Sequence, residues 1–226
     1  MAKNFNSKYY LKKEIDYLLM KMYKIKVSFE IFKDLKSGEE KKFITDNIPF
    51  FSQTILTALS QNIFLELSKI IVDTPDFRGE ENICLSNLIE KYNNNKSLFK
   101  LKKYYYARNI DNNKKVRINL PNTNINGIIS NLSKKINDKN KIYNYLRKLR
   151  HKELAHNDKA FGFKTRKKFI KGIVTYKEIE DYINELYNDL NELYRSIFST
   201  SVAFRYEHKD ELKWLTKIIK DYNSNN

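Results

Sequence analysis

The chain has 226 residues, a formal net charge of +16 and a single cysteine, Cys84. That length suits one domain with a core of its own, and one thiol can build neither an intramolecular disulfide nor a thiolate metal cluster, which fits a reducing compartment and a small buried side chain. The N-terminus lacks an apolar signal core and no run of about 18 uninterrupted apolar residues occurs, so a cytoplasmic protein that does not enter a membrane is expected.

The first element is a long helix, because Ile15, Leu18, Met22, Ile25, Phe29 and Phe32 recur at alternating spacings of three and four, one apolar stripe on a helical surface. Gly38 supplies its stop. A second helix is predicted over residues 46–72, with Ile48, Phe51, Ile55, Leu59, Ile63, Leu67 and Ile70 along one side and Asp73-Thr74-Pro75 ending it. A short helix is predicted over 85–98. Residues 104–127 are polar, Asn-rich and broken by Pro121; they read as an insertion or long loop, with 116–120 as a candidate short strand. Helical spacing returns over 125–136, and again over 141–155 through Ile142, Leu146 and Leu149. Thr175 and Glu178 form a capping-box pair ahead of a stripe of Ile179, Ile183, Leu186, Leu190, Leu193 and Ile197. A last amphipathic helix over 209–222 carries Leu212, Leu215, Ile218 and Ile219. The expected fold is an all-α antiparallel helical bundle, a single domain over 1–226 with an irregular basic insertion in its middle.

The charge is concentrated. Residues 1–95 hold 14 basic and 13 acidic side chains and residues 176–226 hold 7 and 10, whereas residues 96–175 hold 22 basic against 4 acidic. A cluster of this kind gains affinity for polyanions by releasing counterions from phosphates. Nucleic acid is the expected partner, and a generically basic surface is the alternative. Lys100, Lys102 and Lys103 run into Tyr104, Tyr105 and Tyr106, the mixture of cations and ring faces that holds single strands, or else a half-exposed helix end. Arg147, Lys148 and Lys152, with Arg166, Lys167 and Lys168, extend the candidate RNA-binding set.

Within that basic region lies Leu146-Arg147-Lys148-Leu149-Arg150-His151-Lys152-Glu153-Leu154-Ala155-His156-Asn157-Asp158, in which Arg150 and His156 are separated by five residues. The segment resembles the signature of the HEPN superfamily, an arginine followed after four to six residues by a histidine near a helix end. More narrowly it is similar to the abortive-infection AbiU-like branch, through Arg150-His151-Lys152 and Ala155-His156-Asn157-Asp158, and the layout of long helices resembles that branch over residues 8–200. The resemblance implies a toxin-type or antiviral-defence endoribonuclease that needs no metal or other cofactor, with Arg150 and His156 as catalytic residues. Their chemistry fits that task. Attack of the ribose 2′-hydroxyl on its own phosphate needs a proton acceptor and a proton donor, and an imidazole with a pKa of about 6.5 supplies both. A guanidinium, planar and always charged, can hold two phosphoryl oxygens of the pentavalent state. DNA, lacking the 2′-hydroxyl, should survive.

Neighbouring polar groups have two readings each. His151 either orients the site or is solvated, Asp158 either orients His156 or caps the helix end, and Glu66 either pairs with Arg150 or lies on the rim of the second helix. Relatives regulated by a nucleotidyltransferase antitoxin carry a tyrosine two residues after the histidine; Asp158 stands there, which departs from that pattern and leaves any antitoxin or regulatory partner open. On an ideal helix, positions 150 and 156 lie roughly 120° apart, so they flank a groove rather than share a face. A homodimer that gathers two such pairs into one cleft is therefore expected. The competing reading is a non-catalytic RNA-binding or protein-interaction module. His151, His156 and His208 show no metal-ligand spacing, and no glycine-rich phosphate loop is present.

Overall fold

The computed structural model describes residues 7–37, 48–73, 76–77, 80–100, 104–108, 115–119, 124–150, 174–198 and 217. The first helix, α1 (Lys8–Ser37), runs for 30 residues and is about 45 Å long at 1.5 Å per residue. Its stripe is the centre of the core: Ile15, Leu18, Leu19 and Met22 are completely buried. It ends one residue before Gly38.

Helix α2 (Pro49–Ile71) begins on a proline, whose missing N–H would have no partner in a first turn anyway. It packs on α1. Only the second half of its stripe is buried, through Ile63, Leu67 and Ile70, whereas Phe50 and Phe51 are exposed. The hairpin of β1 (Asp76–Phe77) and β2 (Glu80–Glu81) leads to buried Cys84 and then α3 (Leu85–Asn94), with a single 3-10 turn at Lys96–Phe99. The insertion expected over 104–127 contains a regular antiparallel hairpin, β3 (Tyr104–Arg108) against β4 (Lys115–Asn119), with Tyr105 opposite Ile118 and Ala107 opposite Val116. The alternation of polar and β-branched residues in Lys-Val-Arg-Ile-Asn suits a strand, one residue earlier than expected.

Three helices close the bundle. Helix α4 (Ile125–Lys135) is capped by Asn124, whose side chain accepts a hydrogen bond from the Gly127 amide at 3.1 Å; a Cβ at Gly127 would press on that cap. Helix α5 (Lys141–Leu149) is capped by Asn140, which accepts from the amides of Ile142 and Tyr143 at 2.9 and 3.1 Å. Such a cap stabilises by about 1 kcal/mol relative to alanine. Helix α6 (Tyr176–Phe198) starts on the reciprocal pair in which the Thr175 amide donates to Glu178 at 2.6 Å and the Glu178 amide to the Thr175 hydroxyl at 3.1 Å.

The layers follow from which faces are apolar. Helices α2 and α6 pack on α1, α4 packs on α6, and α5 bridges α2 and α6. Helices α1 and α6 are antiparallel, since Lys33 pairs with Glu180 at one end and Lys8 lies over the Phe198 ring at the other. Lys91 pairs with Glu14, and buried Lys135 with Glu185 at 2.6 Å, while the Tyr182 hydroxyl donates to the Lys135 carbonyl at 2.9 Å. The fold is the expected all-α bundle, carrying hairpins in its connections. Among the described residues no helix is long and apolar enough to cross a membrane.

Candidate active site at the end of helix α5

Helix α5 places its apolar face, Ile142, Tyr145, Leu146 and Leu149, against the bundle. Phe64 of α2 meets Tyr145 edge to face at 5.8 Å, and one turn further on each helix Arg150 reaches Ser68. The two helices therefore run in the same direction there, and the side chain following α5 is delivered to the C-terminal end of α2. The Arg150 amide donates to the carbonyls of both Leu146 and Arg147, a shared bond common at the end of a helix.

Arg150 is held through one nitrogen. Its Nη1 donates to the Ser68 carbonyl at 3.4 Å and forms an ion pair with the Asp73 carboxylate. Asp73 is 15% exposed and Arg150 32%, so the carboxylate is the buried partner and the guanidinium reaches solvent. Among the described residues, Nε and Nη2 of Arg150 bond no acceptor. Burial pushes the Arg150 pKa down, but a guanidinium remains cationic at neutral pH. Asp73 was legible in the sequence only as part of a helix stop. Its role beside Arg150 depends on how α2 and α5 pack, which no spacing within either segment reveals.

Glu66 lies elsewhere. Its two carboxylate oxygens accept from Lys21 at 2.5 Å and Lys69 at 2.7 Å, on the rim between α1 and α2. Burial raises its pKa, but these two ammoniums outweigh that and hold it below the usual carboxylate range. Of the two readings of Glu66 the structure places it on the rim, and Asp73 is the carboxylate at Arg150.

Of the expected RNA-binding residues, Arg147 pairs with Asp138 at 2.8 Å on the surface and lies 5.8 Å from the Tyr143 ring centre, and Lys148 is exposed. Lys100 is also exposed, and its carbonyl accepts from Lys8 at 3.4 Å. Tyr104 and Tyr105 lie in β3, opposite Asn119 and Ile118. His151, Lys152, His156, Asp158, Arg166, Lys167 and Lys168 lie outside the described residues, as do Lys102 and Lys103.

An all-α bundle that delivers an arginine of this motif to the end of a helix, with its side chain partly exposed, has the architecture of a HEPN domain. The profile of one such family, AbiU2, matches residues 9–213. The chain belongs to the AbiU2 family of HEPN domains, an assignment that spans helices α1 to α6 but for the first residue of α1. Neither a comparison with curated proteins nor one with solved structures finds a match.

Proposed function

We propose that this chain is a metal-independent endoribonuclease of the phage-defence type, in which His156 exchanges protons with the ribose 2′-hydroxyl and the leaving 5′ oxygen while Arg150 stabilises the pentavalent phosphate. The observation that carries the reading is the state of Arg150. A guanidinium anchored through Nη1 to Asp73 and Ser68, whose Nε and Nη2 bond no acceptor among the described residues, has donors left for an anion with two acceptor oxygens. Membership of an abortive-infection family supports the class of activity. The concentration of 22 basic residues in 96–175 supports a polyanionic substrate.

In this reading Asp73 fixes the guanidinium before substrate arrives, so the charge that develops on the phosphoryl oxygens meets donors already in place. Two protomers contribute to one cleft. The test is incubation of the purified chain with RNA and with DNA in excess EDTA, beside a His156→Ala variant. The expected outcome is cutting of RNA alone, undiminished by chelator and absent in the variant. Equal cutting by His156→Ala removes that imidazole from the mechanism, and RNA binding without cutting by the unaltered chain supports the interaction module instead.

A further inference from the structure

At the opposite end of α1 from Lys8, that helix and the first turn of α6 enclose a groove of about 340 Å³. It shares no residue with the Arg150 corner, which is built by α2 and α5. Phe29, Phe32 and Tyr176 form its apolar walls and Lys33, Lys36 and Lys177 stand along it, with Glu180 as its one acidic member. The Phe32 and Tyr176 rings lie 5.2 Å apart, tilted by 38°, and Tyr176 is 43% exposed although large aromatic side chains are usually covered.

The three lysines are not equivalent. Lys33 pairs with Glu180 at 2.6 Å, and Lys177 with Asp181 at 2.9 Å. Lys36 contacts ring faces, with its ammonium 3.5 Å from the Tyr176 centroid and 5.6 Å from that of Phe32, and no carboxylate of the described residues pairs with it. The groove thus joins a part-exposed ring to a cation that, among the described residues, is held by nothing stronger than ring faces.

We propose that this groove is a subsite for one nucleotide of single-stranded RNA, with the base stacked on Tyr176 and the adjoining phosphate on Lys36. The inference rests on RNA as the partner of this chain and adds a second point of contact to it. Magnitudes favour the exchange. A stacked base is worth roughly 5- to 150-fold in affinity, whereas an exposed cation over a ring is worth roughly 2- to 5-fold. A base therefore displaces the ammonium from the ring, and the ammonium gains a phosphate in return. The groove's volume is that of a small ligand pocket, enough for one nucleotide and too little for a folded duplex. Its lining carries three ammoniums against one carboxylate, the sign required for a phosphate.

The experiment uses the full chain and a fluorescent 2′-O-methyl oligoribonucleotide, which lacks the attacking hydroxyl and so reports binding separately from cleavage. Tyr176→Leu should weaken binding by roughly 5- to 150-fold, and Tyr176→Phe, which keeps the ring, should bind like the unaltered chain. Lys36→Gln should weaken binding and lower the slope of log affinity against log salt by about 0.7, the single-strand value for one phosphate. Unchanged affinity in Tyr176→Leu overturns the subsite, while cutting of unmodified RNA by the same protein keeps the nuclease reading. Should Tyr176→Leu melt out, Lys36→Gln decides: an unchanged affinity and slope overturns the proposal. Ring-dependent binding with no cutting of unmodified RNA by the unaltered chain upholds the subsite and removes the nuclease. Absence of binding by the unaltered chain, or binding to anionic phosphatidylserine vesicles only, overturns it.

Discussion

Asp73 engages one nitrogen of Arg150, and the other N–H groups of that guanidinium inherit their direction from it. Replacing the carboxylate by an amide of the same shape keeps the packing and removes the charge. Asp73→Asn should therefore leave RNA affinity nearly unchanged and slow single-turnover cleavage, on the order of 10²-fold for a group displaced by about 1 Å; an unchanged rate would make Asp73 a structural partner only. Arg150→Ala has a second consequence. It strips the buried Asp73 Oδ1 of its cation, and a buried charge without a partner costs about 1–3 kcal/mol or more. Melting curves should show that loss beside any loss of activity, whereas a folded Arg150→Lys isolates the geometry of the guanidinium. The Arg150–Asp73 pair was half legible: the arginine stood in a motif, and its partner became visible only with the packing of two helices distant in the chain.

Elements with complete stripes were the most legible. α1 and α6 bury an apolar residue at every third or fourth position, so periodicity alone locates them. The reading was less complete for α2, whose stripe begins at Ile48 although burial begins in earnest at Ile63. The reason is the length of its neighbour: α5 has nine residues and lies beside the second half of α2, from Phe64 to Ser68. β-structure at 104–108 was missed because three consecutive tyrosines and an alanine carry no alternation, whereas its partner strand, with Val116 and Ile118, was legible. The start of α6 was readable to the residue, because a capping box is local chemistry. Its Glu178 carboxylate accepts from Lys141 and from Thr175, and these bonds hold its pKa at about 2, below the ordinary 4.5. A lowered folded-state value means stability that is present in full above pH 4.5 and lost as pH falls from there toward 2. Glu178→Gln should accordingly flatten the acid limb of the stability curve in that window, measured by urea unfolding at several pH values; an unchanged acid limb would assign the loss to other carboxylates.

For the molecule as a whole, the proposed composite cleft makes a complementation prediction. If the cleft pairs the arginine of one protomer with the histidine of the other, co-refolding Arg150→Ala with His156→Ala chains should restore cleavage that neither variant has alone, because mixed dimers regenerate one intact pair. Inactivity of the mixture, with mixed dimers verified by mass, would place both groups in one protomer. The bundle also contains its own reporter. Cys84 is the chain's one thiol, is 1% exposed just ahead of α3, and has its pKa pushed up by burial, so the reactive thiolate is scarce in the folded state. Alkylation should then proceed only through opened molecules, and its dependence on denaturant measures how much of the chain must open. A rate that rises steeply with urea marks unfolding of the entire bundle as one unit, and a flat one marks local fraying at α3. An unmodified protein thus carries a single-site clock for its own breathing.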